Sequence, residues 1–168
     1  GLDSSWVVHH PERFVQVEHP PYPAYAFTGA DLCEHPDVGL YLEDGYWNRS
    51  DAAVVFKRVD HRSGEVRFIY HGNDGTSMPW NDTAQLDFLQ EDVRRVVIDT
   101  ILQVARRFPI IRFDAAMTLA KKHFRRLWYP QPGDVGTVPS RVEQGMATEA
   151  FARLFPLQLW REVVGTMP

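Results

Sequence analysis

A helical stretch from about Gln90 to Phe108 stops at Pro109, and a short apolar run, Ile110-Ile111-Arg112-Phe113-Asp114-Ala115-Ala116, begins at once. No other feature restricts the fold so much. Val93, Val96, Val97, Ile101, Val104, Ala105 and Phe108 recur at helical spacing, which gives the first segment one apolar face. Glu91 and Asp92 sit in its first turn and Arg106 and Arg107 in its last, each where the helix dipole favours that sign. Proline then ends it. If the following run is a strand, Arg112 and Asp114 share one face, while Ile111, Phe113 and Ala115 share the other. A helix joined by a tight turn to a buried strand is half of an α/β repeat, which predicts a parallel sheet with helices outside it. Two charges on one face of such a strand are costly unless paired. Arg112 and Asp114 are therefore candidates for a buried salt bridge or a functional site.

Before this segment the chain changes character twice. Residues 1 to about 50 are broken by Pro11, Pro20, Pro21, Pro23 and Pro36 and carry Trp6, Phe14, Tyr22, Tyr25 and Phe27, which reads as a folded loop region. Its aromatics suit a small loop core first and a sugar-stacking platform second, because flat apolar rings match the C–H face of a pyranose. His9, His10, His19 and His35 are too irregularly spaced for a metal site. From Ala53 to His71, two β-rich runs flank Asp60-His61-Arg62-Ser63-Gly64, which predicts a β-hairpin. Turn chemistry returns at Asn73-Asp74-Gly75.

After the apolar run, Thr118 to Trp128 has helical spacing, Tyr129-Pro130-Gln131-Pro132-Gly133 breaks it, and two further helices are expected, around Thr148 to Leu154 and from Pro156 through Val164. The cluster from Lys121 to Arg126 reads as a solvated helix face. With 18 Lys and Arg against 22 Asp and Glu, a net charge of −4 and otherwise scattered cations, nothing points to a nucleic-acid partner. No apolar run is long enough to span a bilayer. The single cysteine, Cys33, fits a reducing compartment and so favours a cytoplasmic location.

The segment Ile111-Arg112-Phe113-Asp114-Ala115-Ala116 resembles the fourth-strand motif of the α-amylase family of glycoside hydrolases, in which a hydrophobic residue, Arg, a hydrophobic residue, Asp and Ala follow one another. Thr83-Ala84-Gln85-Leu86-Asp87-Phe88, leading into Glu91-Asp92-Val93-Arg94, looks like the lead-in to that family's third barrel helix, and Gly1-Leu2-Asp3 looks like the residues after its third strand. The resemblance implies an α/β fold. It would be a partial (β/α)₈ TIM barrel, with residues 1–82 as an inserted subdomain containing the β-hairpin and residues 83–168 as a barrel segment. It implies a retaining hydrolase or transglycosidase acting on α-glucans, maltooligosaccharides or related α-glucosides. Asp114 would be the nucleophile, and Arg112 would keep it ionised and oriented.

Retention needs a second carboxyl group roughly 5 to 5.5 Å from the first. In the family it is a glutamate on the fifth strand, which lies beyond this stretch, so the 168 residues alone are expected to be inactive. Glu143 is the one nearby glutamate, and its polar loop with no preceding strand argues against the role. Met117 and Thr118 stand where Lys-His is frequent in the family. The chemistry requires no cofactor. Asp82 and Asp87 are candidate ligands for a structural calcium ion, although solvated turn acids are the commoner explanation. An alternative of another class is a catalytically dead amylase-like domain kept for carbohydrate binding or as a scaffold. A third reading is a complete small binding domain of hairpin plus helices.

Overall fold

The computed structural model describes residues 1–48, 50, 53–76, 78–134 and 139–166. The chain divides into two compact units, residues 1–86 and residues 87–168. The first is built on a four-stranded antiparallel sheet with the order β1-β4-β3-β2. Its strands are β1 (Gln16–Val17), β2 (Val38–Leu42), β3 (Val55–Asp60) and β4 (Val66–Tyr70), accompanied by two short helices, α1 (Ser5–His9) and α2 (Asp44–Asn48).

The expected hairpin is β3–β4, with Phe56 opposite Ile69 and Arg58 opposite Arg67. Its turn is made by local polar chemistry. Asp60 Oδ1 accepts from the backbone N–H groups of Arg62 (3.0 Å) and Ser63 (2.9 Å), and Gly64 takes a φ of 76° that other residues adopt only with strain. Strand alternation sends Val38, Leu40 and Leu42 of β2, Phe56 of β3 and Ile69 of β4 to one face, where they pack with Leu2, Val7, Val8 and Phe14. Arg58 points the same way and is also buried. It is tolerated because its Nε donates to Val7 O (2.9 Å) and its Nη2 to Val8 O (2.8 Å), carbonyls in the last turn of α1 that the helix itself leaves unpaired. On the opposite face Phe68 packs against Phe27, which contacts Tyr25, which contacts Tyr22. The proline-broken N-terminal aromatics thus form a loop core against the sheet.

The second unit is helical among its described residues: α3 (Glu91–Ala105), α4 (Lys121–Trp128), α5 (Pro139–Glu143), α6 (Thr148–Leu154) and α7 (Leu159–Thr166). A chain of rings fills its core. Phe124 contacts Phe88, Tyr129 and Phe155, and Phe151 contacts Phe155 and Tyr129. The face of α3 that is buried is Val93, Arg94, Ile98 and Leu102, rotated from the one its valines suggest. Val104 and Phe108 are exposed, and Ile110 is 87% exposed.

The partial (β/α)₈ barrel is overturned by this architecture. Barrel strands are parallel, whereas every strand pairing described here is antiparallel. Ile110 to Ala116 is not a strand either. Residues 110–113 are irregular, and Ala116–Leu119 forms a 3-10 turn that precedes α4. A strand is held by backbone pairing with a neighbouring strand, and this run has no such pairing among the described residues.

Candidate functional site

The segment carrying Arg112 and Asp114 is shaped by local bonds and by α7. Asp114 Oδ1 accepts from the Ala115 N–H at 2.9 Å, and Ala115 itself lies in the left-handed region, with φ 48° and ψ 32°. Such a backbone costs an alanine about 1 to 2 kcal/mol, so the surroundings must hold it. They do so from both sides. The Ala115 carbonyl accepts from Thr118 N (2.9 Å) and Thr118 Oγ1 (2.8 Å), closing the 3-10 turn. The Phe113 ring meets Trp160 of α7 edge to face at 4.7 Å, and Trp160 Nε1 donates to Ala116 O at 3.2 Å. α7 is in turn tied to α3 by Glu162, whose Oε1 lies 3.6 Å from Arg94 Nε.

Both charged side chains are exposed, and no ion pair joins them among the described residues. The buried Arg–Asp pair expected on a strand is therefore absent: without strand alternation nothing obliges the two side chains to share a face. What remains is an open carboxylate beside a strained residue, on a segment clamped by a tryptophan. Glu143 is exposed at the end of α5.

No family model, curated protein or solved structure matches the chain. The site's own residues must carry its reading.

Asp87, named above as a candidate calcium ligand, is buried and engaged by protein groups. Its carboxylate accepts from Leu89 N and Gln90 Nε2, each at 3.1 Å, and from the Tyr129 hydroxyl. Burial raises the carboxyl pKa above its ordinary value despite these bonds, and burial together with Asp87 raises that of the Tyr129 phenol. Asp82 is exposed. Among the described residues no group of three or more His, Cys, Asp or Glu side chains is arranged to hold a metal ion. No described helix is long and apolar enough to cross a membrane.

A titratable group not singled out from the sequence is His71. It is fully buried against Phe56, and its Nδ1 lies 2.9 Å from Thr83 O, which as a carbonyl only accepts, so Nδ1 carries the proton. Nε2 is left as a buried nitrogen without a hydrogen-bond partner. Burial drives the imidazole pKa down from 6.5 to about 4, with the Thr83 bond and the Asp82 charge opposing. The next residue, Gly72, brings the backbone against Thr83, where an added Cβ would sit 2.7 Å from Oγ1. Only the Gly-flanked polar turn at Asn73 hints at this in sequence.

Proposed function

We propose that Asp114 is the nucleophile of a retaining α-glycosidase or transglycosidase acting on α-glucans, maltooligosaccharides or related α-glucosides. The observation that carries the reading is the segment Ile111 to Ala116, whose exposed Asp114 carboxylate sits beside Ala115 in a strained left-handed conformation. An exposed carboxylate is free to approach an anomeric carbon, and backbone strain of this kind is concentrated at functional positions. The residues of this segment support the reading without a barrel, which the antiparallel sheet excludes.

In this reading the Asp114 carboxylate attacks the anomeric carbon as the glycosidic oxygen leaves with a proton from a second carboxyl group, forming a glycosyl ester. Water or a sugar hydroxyl then opens the ester, with the second group acting as base. Arg112, exposed on the same segment and not ion-paired with Asp114 among the described residues, is assigned to orienting the nucleophile once substrate is bound. The mechanism requires that second carboxyl group to lie roughly 5 to 5.5 Å from the Asp114 carboxylate.

The test is Asp114→Asn in the full-length coding product, assayed on maltooligosaccharides. The reading expects turnover to fall by about 10⁴-fold or more, as for other nucleophile deletions. Substantial hydrolysis by the variant would refute the assignment. A second reading, carbohydrate binding without catalysis, is favoured by Tyr46 and Trp47, an exposed edge-to-face pair on α2 with Trp47 52% exposed. It expects no turnover by the natural protein and glucan affinity that Asp114→Asn leaves unchanged.

A further inference from the structure

The second unit contains a concavity that the glycosidase reading does not use. It has a volume of about 480 Å³, within the usual range for small-molecule sites, and one of its walls is the face of α4 that carries Lys121, Lys122, Arg125 and Arg126. Positions 121, 122, 125 and 126 fall on one side of α4, so all four side chains border the same concavity. Among the described lining residues the one acid is Asp134, and its Oδ2 already accepts from the Gln131 N–H at 3.0 Å. Cationic side chains thus outnumber acids around the concavity in a chain whose net charge is −4.

The cations fall into two pairs. Lys121 and Arg125 are fixed by the protein. Lys121 Nζ donates to Pro156 O (3.2 Å), and Arg125 Nη2 donates to Thr148 Oγ1 (2.9 Å) while the guanidinium lies 5.6 Å from the Phe151 ring centroid. Arg125 Nε is buried and makes no hydrogen bond. Lys122 and Arg126 are exposed and have no ion pair or hydrogen bond among the described residues. Fixed and free cations around one cavity are an arrangement for an anion. A single carboxylate would be matched by one guanidinium, whereas four cations against one engaged acid suit a dianion with several acceptor oxygens. The exposed Ala152 and the aliphatic stems of the basic side chains add an apolar wall for an organic body.

The geometry points to a binding site for a small organic phosphate, its phosphoryl group held by Lys122 and Arg126 and its organic part lying against Ala152 and the aliphatic stems of the basic side chains. This inference does not rest on the glycosidase reading.

The test is a titration of the 168-residue chain with phenyl phosphate, inorganic phosphate and benzoate, followed by the amide shifts of α4 and by calorimetry. Phenyl phosphate is expected to bind saturably and about tenfold more tightly than either benzoate, which lacks the dianion, or inorganic phosphate, which lacks the organic body. Lys122→Gln with Arg126→Gln is expected to weaken phenyl phosphate by about tenfold or more, with the melting temperature unchanged because both side chains are exposed. Benzoate or inorganic phosphate binding as tightly as phenyl phosphate would overturn the assignment. So would the absence of saturation, or undiminished affinity in the double variant with its fold intact.

Discussion

Replacing His71 with asparagine should flatten part of the chain's response to acid. The imidazole is buried, its Nδ1–H is committed to Thr83 O, and its Nε2 faces no partner, so a second proton would place a charge and an unpaired donor in an apolar setting against Phe56. The folded state therefore lowers the pKa from 6.5 to about 4. Because the folded value lies below the unfolded one, the stabilisation is fully present above pH 6.5, is lost as the pH falls toward about 4, and changes no further below that. At about 1.4 kcal/mol per pH unit, the whole interval corresponds to about 3 kcal/mol, of which about 2 kcal/mol is lost between about pH 7 and about pH 4.5. Asp44 and Asp60, whose pKa values are lowered from 3.8 by hydrogen bonds, lose their contributions mainly below this window. Asp87, raised by burial, acts with the opposite sign, but equally in both proteins. The assay is urea unfolding of the natural chain and of His71→Asn at the two pH values. The natural chain should lose about 2 kcal/mol more than the variant on acidification. Parallel losses would refute the reasoning, whatever the variant's absolute stability.

Other substitutions test the clamped segment and the sheet. Ala115→Gly removes the left-handed penalty and should raise stability by about 1 kcal/mol, read as a higher melting temperature. Trp160→Phe keeps a ring against Phe113 but loses the donor to Ala116 O. It should cost about 1 kcal/mol and speed proteolysis or amide exchange between Phe113 and Leu119. Arg58→Met leaves the Val7 and Val8 carbonyls unpaired beneath the sheet and should cost about 2 to 4 kcal/mol in urea unfolding.

Features set by local chemistry were legible in the sequence, and features set by distant packing were not. The β3–β4 hairpin follows from two β-branched runs around Asp60 and Gly64, where each turn bond is made within a few residues. α3 follows from its end charges and from Pro109, although its buried face does not, because Arg94 turns inward to donate to the carbonyls of Phe88 (2.9 Å) and Leu89 (3.0 Å) and to lie over Phe155. The run Ile110 to Ala116 has strand composition, but strands form only beside a partner, and a pattern of alternation carries no information about whether one exists. The expected α/β repeat and its buried charge pair fell with it. His71 and Arg58 have no special sequence context, since their burial depends on residues 12 and about 50 positions away. The basic run of α4 does carry exposed Lys122 and Arg126, and the concavity beside it was not legible because its other wall, around Thr148 and Ala152, comes more than 20 residues later.

The most direct test of the proposed chemistry is to trap the covalent intermediate. Incubating the full-length coding product with a 5-fluoro-α-glucosyl fluoride slows opening of the glycosyl ester, so the labelled peptide can be identified by mass. The account predicts a single fluoroglucosyl adduct on the peptide containing Asp114, absent from Asp114→Asn. Turnover of an α-glucoside with the adduct on any other carboxylate would contradict it.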